Sequence, residues 1–143
     1  MRYLVLLALT PLPAAAWEFR PDPVCTLSHA EAGAEVTVTH DPRAAMPYAI
    51  EIRLTEGRWP EAATFGIAYD GPAPLAIGTH LHALSEDGAI LRVEDRGFDN
   101  VLDGLQFNDS ATAVSGDRTV RLSLAEAAPA VQAFRACPAA ALS

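Results

Sequence analysis

The stretch Tyr48-Ala49-Ile50-Glu51-Ile52-Arg53-Leu54-Thr55 decides the fold. Tyr48, Ile50, Ile52 and Leu54 alternate with Ala49, Glu51, Arg53 and Thr55. Side chains along a strand point to opposite faces in turn, so the pattern predicts one buried face and one wet face, as in an antiparallel sheet. The flanking segments repeat it. Upstream, a two-residue turn at Ala32-Gly33 pairs Cys25 with His40, Leu27 with Val38 and His29 with Val36. Cys25, Leu27, Val36 and Val38 then share a face opposite Thr26, Ser28, Thr37 and Thr39. Downstream, Glu56 to Ala63 turns the chain. Phe65, Ile67 and Tyr69 alternate with Thr64, Gly66 and Ala68 up to the stop at Asp70-Gly71-Pro72.

Two more hairpins follow. From Leu75 to Glu94, a three-residue Glu86-Asp87-Gly88 loop pairs Leu81 with Val93 and Ala83 with Leu91, and sets His80 against Glu94 and His82 against Arg92. It separates apolar from polar better than a two-residue loop, and is expected for that reason. Gly116-Asp117 turns the last hairpin, pairing Ala113 with Val120 and Ala111 with Leu122 inside, Thr112 with Arg121 outside. Two short helices are expected: Asp99 to Gln106 with Asp99 as N-cap, and Pro129 to Ala136 with Val131 and Phe134 inward. Trp17 to Pro23 reads as an irregular lead-in, because Pro21 and Pro23 block pairing. The predicted fold is mainly β: an antiparallel sandwich or partly closed barrel, with a helix near residue 100 and another at the C-terminus.

Residues 1–16 read as a secretory leader: Arg2, an apolar run from Leu4 to Leu12, then Ala14-Ala15-Ala16 for cleavage before Trp17. Residues 17–143 are then one β-rich domain, periplasmic or secreted, with no apolar run long enough to span a membrane. The formal charge of −8 disfavours nucleic acid. All ten basic residues are arginine, which rules out a P-loop lysine, a Schiff-base amine and a Ser-Lys dyad. Cys25 and Cys137 are an even pair in an exported chain, and neither lies in a C-x-x-C spacing, so they are expected to form one disulfide.

Three features invite a functional reading. His80 and His82, at i and i+2 on a strand, share a face, and with Glu94 they make a candidate divalent-metal site. Asp95-Arg96-Gly97-Phe98-Asp99-Asn100 is dense in polar groups and reads as a binding loop, here Arg96, Phe98, Asp99 and Asn100, or as a plain strand-to-helix connection. Arg58-Trp59 before Pro60 places an aromatic beside a cation, a candidate contact point unless the Trp folds back onto the sheet. No nucleophile elbow or other catalytic setting is present, so no catalytic residue is expected.

The run His82 to Asp117 (HALSEDGAILRVEDRGFDNVLDGLQFNDSATAVSGD), with APAVQAFRAC at 128–137 and PVCTLSH at 23–29, resembles a group of short exported proteins of Gram-negative bacteria that carry the name of the B component of excinuclease ABC. The activity in that name needs a P-loop lysine and helicase motifs, which this chain lacks. Ala127 to Cys137 is also similar to the end of the invasion-associated locus B family, small exported proteins with a late Ala-rich helix and a closing Cys. Both resemblances imply export, and neither brings a catalytic residue. The expected function is a non-enzymatic periplasmic or secreted binding module for a protein or cell-envelope component, with no cofactor. Inhibition of a secreted basic hydrolase and divalent-metal binding through His80 and His82 are the alternatives.

Overall fold

The computed structural model describes residues 16–140. The expected leader lies outside the described residues except for Ala16, while Trp17 is buried. In chain order the elements are β1 (Glu18–Arg20), β2 (Cys25–Glu31), β3 (Ala34–His40), β4 (Tyr48–Leu54), β5 (Phe65–Asp70), β6 (Leu75–Thr79), β7 (Ala83–Ser85), β8 (Ile90–Asp95), α1 (Asp99–Phe107), β9 (Ser110–Ser115), β10 (Arg118–Ser123) and α2 (Ala127–Ala140). The strands form two antiparallel sheets, one ordered β1-β2-β3-β4-β8-β7 and the other β10-β9-β5-β6. The two inner faces share one core, so the fold is an open β-sandwich and not a closed barrel.

The alternating segments fold as their periodicity dictates. Ile50, Ile52 and Leu54 of β4 are buried while Arg53 is exposed. The first and last hairpins adopt the expected registers, Leu27 opposite Val38 and Ala113 opposite Val120. Cys25 and Cys137 are disulfide-bonded with Cα atoms 6.2 Å apart, pinning α2 to β2. Arg135 of α2 donates to Gln106 and Asp103, which ties α2 to α1.

Four expectations are corrected. Glu18–Arg20 is a strand and not a lead-in: it pairs with Thr26 to Ser28, and Pro21 only sets its end. Trp17 anchors it, stacked on His29 at 4.6 Å and donating from Nε1 to the Ser123 carbonyl at 2.9 Å. The Leu75 to Glu94 segment is not one hairpin. β6 pairs with β5, the chain crosses through His80 to His82, and only β7 pairs with β8, with Ala83 opposite Arg92 and Leu84 opposite Leu91. The turn runs from Glu86 to Ala89, with Glu86, Asp87 and Gly88 at φ 50°, 57° and 86°. This register sets Leu84 and Leu91 together on the inner face, and the expected one would have turned Leu84 outward. Leu81, expected to pair with Val93 on the apolar face, is 67% exposed. Finally, the residue preceding α1 is Phe98, with no side-chain cap bond, and Asp99 lies inside the helix. Burial of Phe98 against Tyr48, ring centroids 5.5 Å apart, sets that boundary in place of a polar cap.

Candidate functional site

The sheets do not close on each other everywhere. Between β4 and β8 of one sheet and β5 and β6 of the other lies a cleft of about 640 Å³. Its walls follow from register. Ile50 stands opposite Val93 on one side, and Ile67 opposite Ile77 on the other, with Phe65 next along β5. All five line the cleft. The opening exists because β6 leaves its sheet after Thr79 and crosses to the edge of the other, so neither sheet continues over this side of the sandwich. Val93 and Ile77 remain only half-buried as a result. At the mouth stand two exposed apolar side chains, Leu81 and Met46. Such a concave, mostly apolar space with a few polar groups at the rim has the size and character of a small-molecule site.

The rim is supplied by the β8-to-α1 connection. Glu94, Asp95, Gly97, Phe98, Asp99 and Asn100 all line the cleft. Of the expected binding loop, the structure therefore brings Phe98, Asp99 and Asn100 to one place. Arg96 does not line it; it is exposed, and its backbone N–H donates to Asp95 Oδ1 at 2.6 Å. Arg92, on the outer face, donates to Glu51 at 2.7 Å and to Glu94 at 2.9 Å. Burial pulls the pKa of this guanidinium down, but its bonds to the two carboxylates outweigh that and hold it above the ordinary value.

The other candidates separate. Trp59 is 1% exposed; its Nε1 donates to the Ile52 carbonyl at 3.1 Å and its ring meets Phe65 edge-on. It is a core residue, and Arg58 beside it is exposed, near Asp87. The expected His80, His82 and Glu94 set is not assembled. His80 is exposed, and His82 lies in a small depression with Glu61, Ala62 and Leu84. Glu94 is held by Arg92, as above. Among the described residues no group of three or more His, Cys, Asp or Glu side chains is placed to hold a metal ion. The physical reason is the strand crossing, which removes residues 80–82 from any ladder with β8.

As site residues, sequence reasoning missed Met46, Ile77 and Thr79 altogether, and read Ile50, Phe65, Ile67 and Val93 only as buried strand faces. The alternation of Leu75 and Ile77 with Ala76 and Gly78 marks a strand, but not which sheet it joins. No family model, no curated protein and no solved structure matches this chain. No helix among the described residues is long and apolar enough to cross a membrane.

Proposed function

We propose that this chain is a non-enzymatic, exported binding module, periplasmic or secreted, whose site is the cleft between the sheets. Its ligand is a cell-envelope component with an apolar portion, which enters between Ile50 and Val93 on one wall and Ile67 and Ile77 on the other. The observation that carries this reading is the cleft itself: apolar side chains from both sheets face an open space of about 640 Å³ where a sandwich would otherwise be filled. The leader-like residues 1–16 support export, and the Cys25–Cys137 bond fits an oxidising compartment.

Titration with the neutral fluorophore N-phenyl-1-naphthylamine tests the reading. Saturable one-to-one binding with enhanced emission is expected. Ile77→Trp should abolish it, because the larger side chain fills the cleft from an edge strand, while the far-UV spectrum stays unchanged. Absence of saturable binding to the folded protein refutes the reading, as does binding that Ile77→Trp leaves intact.

A further inference from the structure

We propose that the cleft selects a cationic amphiphile, with its apolar chain between the sheets and its positive head beside Asp95 and Asp99. The inference rests on the binding reading above and adds the charge of the ligand. Among the described residues every charged side chain lining the cleft is acidic: Glu94, Asp95 and Asp99. They are not equivalent. Glu94 shares Arg92 with Glu51, so its charge is only partly offset. Asp95 stands two residues after Val93, and therefore on the cleft face of β8. Its Oδ1 accepts a backbone N–H from Arg96, which leaves its charge unmatched. Among the described residues neither Asp95 nor Asp99 is in an ion pair. Two exposed carboxylates thus stand at the mouth of an apolar space, and the exposed Arg96 next to them does not line it.

One feature pulls the other way. α1 starts at this rim, and a helix N-terminus carries roughly half a positive charge that favours an anion. Asp99 already sits in its first turn. Two carboxylates exceed half a positive charge several-fold, so the rim stays negative. The formal charge of −8 adds a long-range repulsion for anions. Charge complementarity therefore chooses a cationic head over a carboxylate or phosphate.

Calorimetric titration of the disulfide-bonded protein at low salt, with monomeric dodecyltrimethylammonium, dodecyl maltoside and dodecanoate, separates the outcomes. The cation should bind about tenfold or more tighter than the carboxylate, with the maltoside between them, and added salt should narrow the gap. The Asp95→Asn, Asp99→Asn double variant should lose the preference for the cation over the carboxylate. Equal affinity for all three heads, or preference for dodecanoate, overturns this inference and leaves the cleft reading standing. Failure of all three to bind overturns both. Cation binding that survives Ile77→Trp is surface attraction, and it also overturns the inference.

Discussion

Replacing Gly104 with alanine should reverse the usual sign of a helix substitution. In an ordinary helix interior the change stabilises by about 1 kcal/mol, because glycine has more backbone freedom to lose. Gly104 is buried within α1, against Tyr69 of β5. A Cβ at this position would overlap Cδ2, Cε2 and Cζ of the tyrosine ring. The ring has nowhere to go: Tyr69 is 1% exposed, and its strand is paired on both sides, with Leu75 and with Ala111. The helix is held as well, by buried Leu102 and Leu105 and by the bonds from Arg135. Adding a carbon to filled space costs about 1–3 kcal/mol and occasionally more. Overlap with three ring atoms belongs at the upper end, so about 2 kcal/mol of net destabilisation remains after the propensity gain is subtracted. Urea unfolding with the disulfide intact should show a lower midpoint at unchanged slope. Tyr69→Leu provides the second arm. It costs stability alone, but it opens space for the new methyl, so the double variant should lose at least about 1 kcal/mol less than the sum of the singles. A midpoint that rises in Gly104→Ala, or strictly additive costs, would refute the close approach of α1 to β5.

Reducing the Cys25–Cys137 bond, or replacing both residues with serine, releases a loop of sequence separation 112 and should cost about 4–5 kcal/mol in the chain-entropy picture, read as a fall in the urea midpoint. Asn108→Ala removes a bond from Nδ2 to the Gly104 carbonyl and one from the Ala73 N–H to Oδ1, so a loss of about 1–3 kcal/mol is expected by the same measurement. Burial holds the Tyr69 phenol above its ordinary pKa, and its hydroxyl has no hydrogen-bond partner among the described residues. The neutral form belongs to the folded state, so this contribution is complete below the unfolded-state value near about 10 and is lost as pH rises above it. Tyr69→Phe should therefore be at least as stable as the wild type at neutral pH and lose less on going to about pH 11; an unchanged alkaline loss would exclude Tyr69 as its source.

Where a short turn fixes a register, the fold is legible in the sequence. Ala32-Gly33 and Gly116-Asp117 each force one pairing, and the alternating faces on either side agree with it. The strand crossing at His80 to His82 is different in kind. Whether Leu75–Thr79 joins β5 or β8 depends on which sheet has a vacant edge, and that is decided by strands far away in sequence. Once β6 belongs to the other sheet, matching faces between residues 75–82 and β8 has no meaning, and the metal set built on that match dissolves with it. Trp59 fails for a related reason. A Trp between Arg58 and Pro60 reads as an exposed tip, yet the Ile52 carbonyl that accepts the hydrogen bond from its Nε1–H is seven positions back and comes within reach only after the loop folds over β4.

The site was half legible. The polar density of Asp95 to Asn100 identifies the connection that rims the cleft, because those residues are local to it. The cleft is a missing layer of packing, and a local pattern cannot show that. What the pattern does carry is a contradiction that becomes readable with the structure. Ile77 and Val93 sit at inward positions of well-formed strands, where a filled sandwich would bury them, and both stay half-buried beside the exposed Leu81. Burying an apolar side chain of this size is worth about 1.5–3 kcal/mol, so leaving several unfinished in one place has a real cost in stability. Local rules in natural proteins tend to fail where function asks them to. Here the unfinished burial faces a single space, and its rim carries two carboxylates that are in no ion pair among the described residues. An apolar chain with a positive head would complete both the burial and the charge.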